Sequence, residues 1–198
     1  MLKTLREAIF RIRFIFHYIT YYYIKNEFIK DDLESFNKGL FSNKHHHSLA
    51  FILWKYPEFR NLFYYRYKKH KILVSFLSVI ARPDNTFRIG ADYLGKSPMF
   101  YHSFATILSC KHIGDNFIVR NGTTIGNKNF DKALRPTIGD NVDIGANSII
   151  IGDIKIGNNV IIGAGSVVVK NIPSNCIIAG NPAKIIKYIQ DETTLRNE

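Results

Sequence analysis

An apolar residue recurs every six positions at Ile138, Ile144, Ile150, Ile156, Ile162 and Val168, without a slip. Glycine follows four of them directly, as Gly139, Gly145, Gly157 and Gly163. A helix repeats at ~3.6 residues and a strand at ~2, so neither holds one apolar position at steps of six through this much glycine. A six-residue period belongs to a parallel β-helix, where each short strand is one side of a coil and three hexapeptides make a turn. Stacked strands then lie ~4.8 Å apart. Four residues after each aliphatic position stand Val142, Ser148, Ile154, Val160 and Ser166, small or β-branched side chains that suit a narrow interior.

The repeat has an earlier block. Counting back by six from Ile125 gives Val119, Ile113, Ile107, Tyr101, Gly95 and Ile89, five of the seven aliphatic. The step from Ile125 to Ile138 is thirteen, two repeats plus one. That excess places an insertion at 127–136, a loop rich in Lys, Asn and Asp that should project from the coil. Residues 1–80 obey a different grammar, with Gly39 and Pro57 as their single glycine and proline. They read as helices over about 2–24, 27–38, 47–56 and 58–80, with breaks at Asp31-Asp32 and in 41–47. Arg82-Pro83-Asp84-Asn85 reads as a turn between the halves. A helical N-terminal domain over 1–82 would cap a β-helix over 83–182, since repeat coils need capped ends. After Gly180-Asn181-Pro182, residues 183–198 read as a C-terminal helix, through Lys184 and Ile189, and a tail.

Of the 198 residues 46% are apolar, enough for a real core, which excludes a disordered chain. The net charge is +11, and residues 1–80 hold 14 basic against 6 acidic side chains. This surplus suits an anionic partner: a phosphate-rich cofactor, an acidic glycan, a membrane surface or nucleic acid. The aromatics mixed with Arg60 and Arg66 have helical spacing and read as packing, so no nucleic-acid partner is expected. The apolar stretch 14–24, interrupted by His17 and four tyrosines, is shorter than the ~20 residues of a membrane span. It reads as a helix that packs on another helix or, with Arg11, Arg13 and Lys25 flanking it, lies on a membrane surface. Cys110 and Cys176 make no disulfide framework, and no secretion signal is visible, so a cytoplasmic location is expected, peripheral to the membrane if that helix lies on it. His45-His46-His47 lacks a partner at ligand spacing, and the repeats offer only His102 and His112 where a metal-bearing β-helix needs three. No metal is expected.

The block 136–184, with Ile162-Gly163-Ala164-Gly165-Ser166-Val167-Val168-Val169-Lys170 and Ala179-Gly180-Asn181-Pro182-Ala183-Lys184, resembles the hexapeptide-repeat acyltransferases. Its ending resembles that of the acetyl-CoA-using left-handed β-helix enzymes. Upstream, Phe100-Tyr101-His102, Ile113-Gly114-Asp115-Asn116 and Thr123-Thr124-Ile125-Gly126 are similar to serine acetyltransferases. The likeness covers roughly 88–187, about half the chain. The fold it implies is mainly β: a left-handed parallel β-helix with an N-terminal α-helical domain and a short C-terminal helix. It also implies a homotrimer with active sites between subunits and acetyl-CoA lying along the coil.

The chemistry needs a base for the acceptor hydroxyl and a donor for the oxyanion. By the resemblance His102 matches the catalytic histidine, and Gly126 with the backbone N–H of Asn127 matches the turn facing the tetrahedral intermediate. Ala146, Ala164 and Gly165 match turns beside the pantetheine arm; Lys170, Lys184 and Lys187 match basic positions near the nucleotide.

The chain departs from serine acetyltransferases in three places. Phe87 stands where the family has an aspartate that orients the histidine, so Asp84 or Asp92 would have to substitute. Arg135 replaces a histidine before the loop's proline; it cannot act as a base but could bind a substrate carboxylate or a CoA phosphate. The helical half is shorter, and Leu195-Arg196-Asn197-Glu198 lacks the C-terminal isoleucine that docks into cysteine synthase, so that partner is not expected. The expected activity is acetyl-CoA-dependent O-acetylation of L-serine, a step of cysteine biosynthesis. The alternatives are O-acetylation of a sugar hydroxyl in surface-polysaccharide biosynthesis and a non-catalytic trimeric scaffold.

Overall fold

The computed structural model describes residues 12–41 and 47–189. The chain divides into two compact units, Met1–Ile89 and Gly90–Glu198. The first holds helices α1 (Ile15–Tyr23), α2 (Ile29–Phe41), α3 (Leu49–Lys55), α4 (Pro57–Arg66) and α5 (Lys71–Ile80), then strand β1 (Phe87–Ile89). Positions 2–11 of the first expected helix, and the expected tail from 190, lie outside the described residues.

Two expectations for this unit are corrected. Asp31 and Asp32 do not break a helix; they occupy the first turn of α2, where carboxylates face the positive end of the helix dipole. Asn26 caps that turn, its Oδ1 accepting from the Phe28 and Ile29 amides at 3.1 and 3.2 Å. Asp32 is buried and takes a two-pronged hydrogen bond from Arg66, at 2.7 and 3.1 Å, tying α2 to α4. The helix expected over 58–80 is two helices, because the chain turns at Tyr67, with the His70 amide donating to the Tyr67 carbonyl at 2.9 Å. Lys68, its ammonium 3.9 Å from the Tyr65 ring centroid, and Lys69 are exposed at this turn. The core of the unit is aromatic and aliphatic, with Phe36, Phe59, Phe63, Leu53, Leu62 and Leu77 fully buried.

The second unit is a three-sided coil of parallel strands. β2 (Tyr93–Leu94), β5 (His112–Ile113), β8 (Thr137–Ile138) and β11 (Lys155–Ile156) stack on one side. β3 (Met99–Tyr101), β6 (Ile118–Arg120), β9 (Asp143–Ile144), β12 (Val160–Ile162) and β14 (Cys176–Gly180) stack on another. The third side runs β4 (Thr106–Leu108), β7 (Thr124–Gly126), β10 (Ile149–Ile151) and β13 (Val167–Val168). Pairing puts like on like: Phe100, Val119, Ile144, Ile162 and Ile178 form one inward column. The residues expected four after each aliphatic position are buried as well.

The earlier register slips in the first coil. The inward residues there are Leu94, Phe100 and Leu108, while Ile107 is exposed and Tyr101 half-buried. Phe100 and Leu108 are eight apart because the corner between β3 and β4 is longer than the corners stacked on it. The step of thirteen is also reassigned. Ile113 pairs with Ile138 and Ile125 with Ile150, so that step is one side of the coil carrying a long insertion.

The corners explain the asparagines. Asn116, Asn141, Asn159 and Asn175 have φ of 55 to 59°, a region asparagine tolerates better than most residues. Each side-chain amide donates to the next across the stack, at 2.9, 3.0 and 2.8 Å. The coil ends differently from expectation: Ala183–Tyr188 is not helical but forms β15, antiparallel to β14. Past the last coil β14 would present an unpaired edge, and a returning strand satisfies it where a helix would not.

His17 of α1 is buried, with Nε2 3.0 Å from the Tyr64 hydroxyl. That hydroxyl donates to the Ala81 carbonyl at 2.6 Å, so Nε2–H donates to it. Nδ1 has no hydrogen-bond partner among the described residues. Burial, helped by Arg60, lowers the His17 pKa to about 4. The unfolded chain therefore takes up a proton between pH ~6.5 and ~4 that the folded unit refuses, and stability falls as pH falls through that window. Denaturant titrations at pH 7.5 and 4.5 should show a loss ~2 kcal/mol smaller in His17→Gln than in the parent chain.

Candidate active site

His102 sits in the long corner between β3 and β4, exposed, with φ of 51°. Ala105 in the same corner has φ of 53°. Residues held in this region cost energy that the surrounding structure must supply, and they gather at functional sites. The Phe104 amide donates to the His102 carbonyl at 2.8 Å, and Phe104 in turn accepts from Gly122 in the corner below at 3.1 Å. The backbone thus holds the imidazole outside the coil.

The corners stacked beneath His102 form one edge of the prism. They are Asn121-Gly122, then Ala146-Asn147, then Ala164-Gly165, joined by amide hydrogen bonds from Asn147 to Asn121 at 2.9 Å and from Gly165 to Ala146 at 2.8 Å. Thr106, Thr123, Ser148 and Ser166 line its inner side, all fully buried, with hydroxyls bonded to corner carbonyls such as Gly145 and Gly163. A side chain on Gly145 would meet the Ala164 nitrogen at 2.4 Å, so the corners stay small. Gly165 has φ of +70° and open space where a Cβ would stand. Gly163 abuts Ala179, and Ala179 pairs with Lys184, which brings Lys184 to the same edge.

Six predicted residues are thereby sorted. His102, Ala146, Ala164, Gly165 and Lys184 share one edge, and Lys187 lies further along β15, opposite Ile177. Lys170, beyond the end of β13, lies at the other end of the third side. Gly126 and Asn127 are also at that far end, a strand length of ~15 Å from the His102 edge at ~3.3 Å per residue. One chain therefore does not bring His102 and the Asn127 amide together.

Arg135 is committed within the chain. Its guanidinium makes paired bonds to Asp92 at 3.1 and 2.6 Å, donates to the Cys110 carbonyl at 3.3 Å, and is 13% exposed. It ties the base of the 127–136 loop to the first coil. Asp92 is thus engaged by Arg135, and the Asp84 carboxylate accepts from the Thr86 amide and hydroxyl, both at 2.7 Å. Burial raises the Cys110 thiol beneath Arg135 to about 12, so it stays protonated. Both cysteines are free.

The sequence reading missed Arg120. It pairs with Tyr101 across β3 and β6, ion-pairs with Asp143 and lies 5.8 Å from the Tyr101 ring centroid. This places a charged pair on the outer surface one residue from His102. Arg120 follows the inward Val119 and Asp143 precedes the inward Ile144, so strand alternation signals both. Among the described residues no group of three or more His, Cys, Asp or Glu is placed to hold a metal ion. His47 spends its backbone amide on Asn37 at 2.7 Å, and His45 and His46 lie outside the described residues.

Residues 135–170 match the family model described as bacterial transferase hexapeptide (six repeats). A protein of Escherichia coli (strain K12) named as a colanic acid biosynthesis acetyltransferase, WcaB, is 42% identical over 93 residues, covering 46% of this chain and 57% of that one. A serine acetyltransferase of Staphylococcus epidermidis is 42% identical over 97 residues, 48% of this chain and 45% of that one. The chain thus spans about half the length of the curated relatives it matches. The crystal structure of the Neisseria gonorrhoeae serine acetyltransferase superposes with a TM-score of 0.64 at 25% identity, covering 86% of this chain and 69% of that one. The second unit is therefore a left-handed β-helix built of hexapeptide repeats. In fold the chain is similar to the serine acetyltransferases, and residues 135–170 carry the hexapeptide repeat.

Arg135→Ala tests the clasp. Hydrogen exchange across 128–134 should accelerate while the melting temperature barely moves, because the exposed partner limits the ion pair to ~1 kcal/mol or less. Unchanged exchange in that loop would mean that the pair does not hold it.

Proposed function

We propose that the protein transfers an acetyl group from acetyl-CoA to a hydroxyl, with L-serine as acceptor and His102 as general base. The observation that carries the reading is the single edge joining exposed His102 to small, stacked corners and to Lys184. An extended thioester substrate fits such an edge: open space over Gly165 admits its arm, the backbone of the corners approaches it closely, and Lys184 with Lys187 meets its phosphates. The imidazole of His102 takes the acceptor's proton as the oxygen attacks the thioester carbonyl. A tetrahedral oxyanion forms, collapses to the acetyl ester and expels the CoA thiolate, which the histidinium can protonate. The Asn127 amide, after Gly126, would hold the oxyanion.

The separation of His102 from Asn127 within one chain supports a homotrimer with each site between two copies. The outer surface of the third side supports it too, because Ile107 and Ile149 are exposed in the two rows that flank Thr124. Lys170 lies at the same end as Asn127 and would serve a neighbour's site. A second reading, transfer to a sugar hydroxyl, draws on Arg135. The serine carboxylate calls for a cation, and Arg135 is spent on Asp92. No helix among the described residues is long and apolar enough to cross a membrane, and a cytoplasmic site of action suits both acceptors and the acetyl-CoA supply.

Thiol release from acetyl-CoA measured with L-serine and with hexose acceptors separates the two. Turnover with serine supports the first reading, and turnover with sugar alone overturns it. His102→Ala should lower the rate by a factor of ~10²–10⁴. An unchanged rate would remove His102 as the base.

A further inference from the structure

The helical unit shows its apolar side to solvent. In α1 and the turn before it, Ile12, Ile15, Phe16, Ile19, Tyr22 and Tyr23 recur at helical spacing and all are exposed, Ile12 at 72% and Tyr23 at 83%. The opposite side buries Phe14 with His17 and Thr20. The usual amphipathic order is thus inverted, with His17 and Thr20 inside and isoleucines and aromatics outside. Helix α5 repeats the pattern: Ile72 is 89% exposed and Val79 79%, with Phe76 between them on the same face. Phe16 and Phe76 meet edge to face at 5.2 Å, so the two stripes are one surface. A groove lined by Lys69, His70, Lys71, Ile72, Leu73 and Phe76 continues it at the start of α5. A patch of this size calls for an occupant.

The charge around the patch selects that occupant. Segments 12–25 and 68–82 carry Arg13, Lys25, Lys68, Lys69, Lys71 and Arg82 and not one aspartate or glutamate. A second copy laid on this face would oppose cations to cations. An anionic lipid surface offers apolar depth for the isoleucines and phenylalanines and negative headgroups for the lysines. Tyr22 and Tyr23, beside Lys25, have the ring-plus-hydroxyl character that settles at a headgroup boundary. We propose that α1 and α5 form a membrane-binding face that seats the protein on an anionic bilayer. This is independent of the acetyl acceptor and needs no residue of the His102 edge.

The test uses the full chain and vesicles of phosphatidylcholine, with or without phosphatidylglycerol. The protein should sediment with the anionic vesicles, and raised salt should weaken binding, as expected of screened charges. Ile19→Ser with Val79→Ser, both at exposed positions, should bind about tenfold more weakly while keeping the parent's circular dichroism. Lys69→Glu with Lys71→Glu should weaken binding to anionic vesicles in the same way. Equal binding to neutral vesicles, or full binding by the serine variant, would overturn the proposal. So would failure of the parent chain to sediment. A smaller oligomer for the serine variant in velocity sedimentation would then identify a second copy as the occupant.

Discussion

Everything in the repeat unit depends on how closely one coil corner lies on the next. A Cβ on Gly145 would stand 2.4 Å from the Ala164 nitrogen, and one on Gly157 would stand 2.5 Å from the Ser174 nitrogen. Strands pair across coils only if the corners between them take up little height, so small residues and left-handed asparagines recur at fixed steps. The buried hydroxyls of Thr123, Ser148 and Ser166 then satisfy carbonyls that face inward at the corner where His102 projects. Close stacking gives two straight edges of different character. One is occupied by its own asparagine ladder. The other carries His102 and, below it, the corners Asn121-Gly122, Ala146-Asn147 and Ala164-Gly165, with open space over Gly165.

A coil so tightly specified admits additions only at its corners, and two are present here. The first lengthens the corner after β3 and turns His102 outward. The second is the 127–136 loop, clasped at its base by Arg135 and Asp92. They sit at opposite ends of the third side. In the proposed reaction His102 and the Asn127 amide would meet only across an interface between copies, which would make assembly part of the site.

Much of this was legible in the sequence because the repeat is geometric. The step of six from Ile138 to Val168 gives the coil, its inward columns and its tight corners without reference to any other contact. What was not legible depended on partners distant in sequence. Asp31-Asp32 resembles a helix break until Arg66 supplies the charge that lets Asp32 be buried. Tyr101 continues the count of six, yet only the pairing of Phe100 with Val119 shows that the inward position has moved by one. The segment 183–188 holds Ile185, Ile186 and Tyr188 but no strict alternation, and the open edge of β14 decides its conformation. Arg135 could be read as a ligand for substrate because nothing in the sequence links it to Asp92, forty-three residues away.

The central claim is that the edge running from His102 to Lys184 holds the acetyl donor. Hydrogen exchange with and without saturating CoA tests it most directly. Binding should slow exchange at the corners 145–148 and 163–166 and around Lys184, and leave the asparagine corners at 140–141 and 158–159 unchanged. Protection at the asparagine corners instead, or none at the His102 edge under saturation, would contradict the account.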